Sequence, residues 1–163
     1  MRSARAILSF GGIGFIPGPS GTYASLATAG IVVALSSLGP PALAPAVLVA
    51  VAFGSLATLL LGNDVVGADS SGDPSWVVTD EVAGQGLALL LAGFSPNRGV
   101  VTTLAAFALF RVFDIWKPPP IRALEANVKG GMGVMLDDVV AAAYAYVSFI
   151  LFVVVMHKGF GFQ

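Results

Sequence analysis

Apolar residues run along this chain in long blocks instead of alternating with polar ones. From Ala6 to Asn63 no Asp, Glu, Lys, Arg or His interrupts them, and the only breaks are glycines, prolines and hydroxyl residues. A membrane helix needs about 20 apolar residues to cross about 30 Å of hydrocarbon. This stretch therefore has room for two, with Gly39-Pro40-Pro41 as the turn, and the pattern predicts spans over Tyr23–Leu38 and Ala42–Leu61. Further on, Val82–Phe94 and Val100–Trp116 form an apolar pair joined by Ser95-Pro96-Asn97-Arg98, and Val139–Met156 is a last apolar run. The third segment is short and is expected to tilt, to be half buried in protein, or to be extended by the polar residues before it. Phe10–Thr22 is apolar but too rich in Gly and Pro for a stable helix. An uncharged loop at membrane depth is tolerated where protein covers it or where it lines a cavity, so it is a candidate wall for a lipid headgroup. The expected fold is all-α: a polytopic helical membrane protein with about four to five membrane helices and a Gly/Pro-rich N-terminal loop, forming a single domain over 1–163. Arg2 and Arg5 precede an apolar run without a clear small-residue cleavage site, a poor match to a signal peptide.

Composition agrees with the pattern. Of 163 residues 56% are hydrophobic and only 10% charged, less than half the charged fraction of an ordinary soluble domain, and the mean hydropathy is +0.89. A net charge of -1 without a basic run leaves no electrostatic footprint for nucleic acid. With no cysteine, disulfides, thiolate metal sites and cysteine nucleophiles are excluded, and His157 as the only histidine leaves nothing that would select zinc.

The few charges give an orientation. With the N-terminus in the cytoplasm and five spans, Arg2, Arg5, Lys117, Arg122 and Lys129 fall on the cytoplasmic side, and Arg98 and Lys158 fall outside, as the positive-inside rule favours. The acids did not enter that count. Asp64, Asp69, Asp73, Asp80, Glu81, Asp114, Glu125, Asp137 and Asp138 nevertheless all fall at the same cytoplasmic ends.

Three acidic clusters are expected where helices enter or leave the bilayer: Thr79-Asp80-Glu81 starting the third segment, Arg111 and Asp114 ending the fourth, and Asp137-Asp138 starting the fifth. Carboxylates gathered in a partly dehydrated site repel one another and demand a cation. Magnesium suits them, because it takes oxygen ligands and commonly binds through a few carboxylates plus a substrate phosphate. Two plainer readings stand beside this: the acids cap helix N-termini, and Arg111 and Asp114, three apart, form a simple ion pair. Ionisable groups at membrane depth favour the functional reading. Arg111, Lys117, Arg122 and Lys129 are candidate phosphate ligands, with Gly130-Gly131-Met132-Gly133 as a loop able to aim amides at an anion. Ser20-Gly21-Thr22 reads as a turn and N-cap before a helix, and Thr22 joins the candidate phosphate-binding set. Trp116 fits the aromatic belt at the headgroup level.

The order of three blocks, Asp80-Glu81-Val82-Ala83-Gly84, then Phe110-Arg111-Val112-Phe113-Asp114-Ile115-Trp116-Lys117-Pro118-Pro119-Pro120-Ile121-Arg122, then Gly130-Gly131-Met132-Gly133-Val134-Met135-Leu136-Asp137-Asp138, resembles the phosphatidylglycerophosphatase A family. The resemblance covers nearly the whole chain. It implies a magnesium-dependent phosphatase that converts phosphatidylglycerophosphate to phosphatidylglycerol and phosphate in the bacterial cytoplasmic membrane, acting on the cytoplasmic side. On that expectation Asp80, Glu81, Asp114, Asp137 and Asp138 hold the metal, and Asp80, Glu81, Asp114 and Asp138 carry catalysis. Arg111 and Lys117 hold the phosphate, with Arg122, Lys129 and Thr22 as further candidates. Where the family usually has Pro-Gly-Thr-x-Gly-Ser, this chain has Ser20-Gly21-Thr22-Tyr23-Ala24-Ser25. The rival from another class is a small membrane transporter or channel with a carboxylate cluster on its cytoplasmic side, and a third reading is a non-catalytic lipid-binding subunit.

Overall fold

The computed structural model describes residues 2–36, 38–66, 74–93, 99–128 and 130–160. Among these residues seven α-helices follow one another: α1 (Arg2–Leu8), α2 (Ser20–Ser36), α3 (Pro40–Val66), α4 (Thr79–Leu91), α5 (Gly99–Trp116), α6 (Ile121–Asn127) and α7 (Gly131–Phe160). A 3-10 turn, Ile13–Phe15, lies between α1 and α2. No strand occurs among the described residues.

Each of the five expected apolar segments coincides with a helix, but the boundaries move. α2 begins at Ser20, so Thr22 lies in its first turn instead of in the preceding loop. α7 begins at Gly131, which places the Gly131-Met132-Gly133 glycines inside the helix and Asp137 and Asp138 about two turns into it. The two short helices, α1 and α6, were not expected from periodicity. The all-α architecture is as expected, whereas the count of four to five membrane helices is not shown by helix length and composition. Among the described residues one helix, over Gly131–Val155, is long and apolar enough to cross a membrane, and shorter apolar stretches cover Ser20–Leu35 and Val49–Thr58. α4 is the clearest reason: 13 residues at 1.5 Å each reach only about 20 Å. α5 carries Arg111 and Asp114 near its end, which shortens its apolar length.

The helices alternate in direction about a common end. Val32 of α2 and Leu89 of α4 share a buried cluster with Val47 and Ala106, while Ala24 of α2 packs with Val78 and Val82, so α2 and α4 run parallel. α3 returns antiparallel to α4: Gly86 faces Val51 and Gly54 faces the Thr79 carbonyl, and the hydroxyls of Thr58 and Thr79 lie 2.8 Å apart. A further cluster joins Ala88, Phe110, Ile121, Ala141, Ala142 and Ala145. The three alanines of α7 let helix backbones approach closely, a device typical of membrane bundles. Outward-facing Leu60, Val101, Leu104, Ile115, Leu151 and Val155 are exposed, the reverse of a soluble surface.

The N-terminal loop is packed on protein, as its composition requires. The Val78 amide donates to the Leu8 carbonyl at 2.8 Å, Phe15 stacks on Trp76, and the Ser20 hydroxyl donates to the Ser75 carbonyl. Gly14 has no room for a side chain, since a Cβ there would meet the Trp76 carbonyl oxygen at 2.0 Å.

Candidate metal and phosphate site

The start of α4, the first turns of α7 and the last turn of α5 meet at one end of the bundle. Ligand atoms of Asp80, Glu81 and Asp138 lie within 4.8 Å of one another, close enough to share one cation. Asp80 and Asp138 are buried, at 5% and 2% exposure. Glu81 Oε2 and Asp138 Oδ2 have no hydrogen-bond partner. Buried carboxylate oxygens without donors are costly, and a hard cation is the ligand that such oxygens fit. Asp114 adjoins Asp138 and Glu81 from α5.

The helix ends explain this placement only in part. Asp80 and Glu81 stand in the first turn of α4, where the helix dipole favours negative charge, yet the N-cap residue is Val78, with no side-chain cap bond. Asp137 and Asp138 are not caps at all, because α7 starts six residues earlier than Asp137. Burial pushes the Glu81 carboxyl above its ordinary value of 4.5, and Asp114 adds to that push, while Asp80 and Arg111 pull the other way.

The basic candidates are tied to acids. Arg111 Nη1 lies 2.5 Å from Asp114 Oδ2, an i,i+3 pair with both side chains 13% exposed. Lys117 Nζ lies 2.9 Å from Asp137 Oδ2. Lys117 has a positive φ of 48°, and its amide donates to the Phe113 carbonyl at 2.8 Å. A non-glycine residue in this left-handed conformation is unusual; here it ends α5 while Nζ reaches α7. Arg122 is exposed and donates to the Trp116 carbonyl at 3.2 Å. Thr22 is half-buried on α2 beside Gly21. Lys129 lies outside the described residues, as do Asp69, Asp73 and Arg98 of the charge pattern, together with the side chains of Asp64 and Glu125.

Two glycines that the sequence presented as helix or turn residues prove to shape the site. A Cβ on Gly21 would meet Glu81 Oε1 at 2.0 Å. On Gly84 it would meet the Phe110 ring at 2.7 Å and Asp138 Cβ at 3.0 Å. Gly21 therefore seats the Glu81 carboxylate, and Gly84 lets α4 approach α5 and α7. The only local signal was Gly at helical positions, where it is disfavoured without a packing reason.

Comparison with known proteins gives a consistent family. The family profile described as "Phosphatidylglycerophosphatase A" matches residues 6–153. A protein of Bacteroides thetaiotaomicron named "Putative phosphatidylinositol-3-phosphatase" is 49% identical over 75 residues, 46% of each chain. Two proteins named "Phosphatidylglycerophosphatase A" are similar as well. The one from Escherichia coli is 42% identical over 69 residues, covering 42% of this chain and 38% of the relative. That from Haemophilus influenzae is 45% identical over 75 residues, covering 46% of this chain and 44% of the relative. The aligned stretches thus span less than half the length of these curated relatives. No solved structure matches the chain significantly.

Proposed function

The chain belongs to the phosphatidylglycerophosphatase A family, and from that premise we propose that it is a magnesium-dependent lipid phosphatase that hydrolyses phosphatidylglycerophosphate to phosphatidylglycerol and phosphate. The observation that carries the reading is the convergence of Asp80, Glu81 and Asp138 within 4.8 Å, with buried carboxylate oxygens that lack donors. These three would hold the metal, with Asp114 and Asp137 alongside. A divalent cation bound there supplies positive charge for the phosphate oxygens and makes a bound water more acidic.

The remaining steps belong to the chain's own side chains. Arg111 and Lys117, now paired with Asp114 and Asp137, are placed to share their charge with an incoming phosphate, Arg111 through a planar fork and Lys117 as a point charge. Arg122, Lys129 and Thr22 are further candidates for holding that group. In the hydrolysis, the oxygen of the attacking water forms a bond to phosphorus as the P–O ester bond breaks. A carboxylate at the cluster takes the proton of that water, and the same proton, returned from the carboxyl, makes the departing glycerol oxygen a hydroxyl. Asp80, Glu81, Asp114 and Asp138 are the candidates for this transfer. Lipid substrate fits the exterior: an open apolar groove of about 400 Å³, lined by Ile13, Ile16, Tyr23, Leu26 and Ala27, flanks the first turns of α2, which carry Gly21. The family points to the bacterial cytoplasmic membrane, and the apolar segments and the distribution of basic residues support a multi-pass protein with the site on the cytoplasmic side.

The test is phosphate release from phosphatidylglycerophosphate by purified protein in detergent, with magnesium and with a chelator, beside Asp80→Asn and Asp138→Asn. Release that requires the metal and falls by at least about 100-fold in both variants is expected, the scale on which transition-state electrostatics act. Full activity in both variants would overturn the site. Absence of release from folded wild-type protein, with phosphatidic acid tried as well, would favour the transporter or the lipid-binding reading.

A further inference from the structure

Gln85 is completely buried, and neither its Oε1 nor its Nε2 has a hydrogen-bond partner. Ser25 is also completely buried, with its hydroxyl equally unsatisfied. Buried polar groups are rarely left so, and an ordered water or a functional role is the usual explanation. The register between α2 and α4 brings the two together. Gly21 touches Glu81, and Val32 and Leu89 share a core cluster farther along the same parallel pair. Counting one turn along each helix from the Gly21–Glu81 contact brings Ser25 near the level of Gln85. Side chains on a helix lean toward its N-terminus, which inclines Gln85 toward the end of α4 that carries Glu81, whose Oε2 is unsatisfied too.

We propose that Ser25 and Gln85 form a polar seat for ordered water between α2 and α4, and that Gln85 acts through this water as a positioning residue for the Glu81 carboxylate. The inference rests on the metal-site reading above. It accounts for a glutamine kept in an otherwise apolar helix interior, flanked by buried Ala83, Gly84, Gly86 and Ala88. The amide holds one rotamer of Glu81, so that both the cation and the phosphate meet a carboxylate already in place. Partners of this outer kind commonly tune metal affinity by about 10- to 100-fold.

The experiment compares thermal unfolding of wild type, Gln85→Met and Ser25→Ala in detergent across a magnesium titration, with phosphate release measured in parallel. Gln85→Met keeps the length of the side chain but removes the amide that holds the water. Its metal-free Tm is therefore expected to stay level or fall slightly, while the magnesium concentration for the half-maximal Tm shift rises about tenfold or more. Ser25→Ala is expected to move the same way by less. An unchanged magnesium dependence in Gln85→Met overturns the proposal, and if that variant does not fold, an unchanged dependence in Ser25→Ala overturns it. A wild-type protein whose Tm does not respond to magnesium overturns the metal reading itself, a result visible before any variant is made.

Discussion

At the residue scale, the site depends on small side chains as much as on charged ones. Gly21→Ala would drive a methyl group into Glu81 Oε1, which can yield because it is the tip of a flexible side chain. We expect Gly21→Ala to leave Tm nearly unchanged but to lower turnover at least about tenfold, the usual scale for a misplaced catalytic group; equal turnover in a folded variant would remove Glu81 from the site. The Glu81 carboxyl is raised from 4.5 by burial first and by Asp114 second. A raised folded value means that the folded state holds this proton more tightly than the unfolded chain. Its contribution to stability is present below the unfolded value and is lost as pH rises through the folded one. Metal-free protein should therefore lose Glu81's contribution as pH climbs above 4.5, and magnesium should restore stability there, because cation binding requires the carboxylate. Thermal unfolding in chelator and in magnesium across that range checks the sign, and Glu81→Gln should flatten the difference. The acids themselves were legible as residue types, since charges are few in this chain and carboxylates beside apolar segments are costly to bury. Gln85 and Ser25 were not, because a buried unsatisfied amide looks like any polar residue until its surroundings are known.

At the scale of elements, the apolar blocks specified where helices form, and the proline run Pro118-Pro119-Pro120 specified where α5 stops. They did not specify starts. The glycines of 130–133 suggested a loop, yet α7 begins at Gly131 because a close approach demands it: a Cβ on Gly133 would meet the Val128 carbonyl oxygen at 2.1 Å. Tertiary packing here overrides the low helix propensity of glycine. Gly84 is the contact on which three elements depend, with α4 against Phe110 of α5 and Asp138 of α7. Gly84→Val is expected to destabilise the protein by about 1–3 kcal/mol, as overpacking does, and to abolish most turnover by prising Glu81 from Asp138. Tm and phosphate release measured on one preparation check both; a variant as stable and active as wild type would show that the helices can separate without harm.

At the scale of the whole molecule, the alternation of helices about one end sets the site and its opposite pole. Lys158, in the last turn of α7, and Asn127, at the end of α6, are both exposed and stand at opposite ends of the bundle. Because the chain has no cysteine, Asn127→Cys and Lys158→Cys give single labelling sites. A membrane-impermeant maleimide should label Lys158→Cys in intact spheroplasts and Asn127→Cys only in inverted vesicles; labelling of both from one side would refute the orientation. The sequence by itself determined that the chain is helical and that its few acids lie beside long apolar segments, because an apolar run buries its own backbone polar groups most readily as helix. Tertiary structure alone decided which three carboxylates come within 4.8 Å of one another, that Arg111 and Lys117 pair with Asp114 and Asp137, and that Gly21 and Gly84 leave room for Glu81 and Asp138. Those facts depend on distances between helices remote in the chain, and such distances are set by close packing of side chains that no local pattern records.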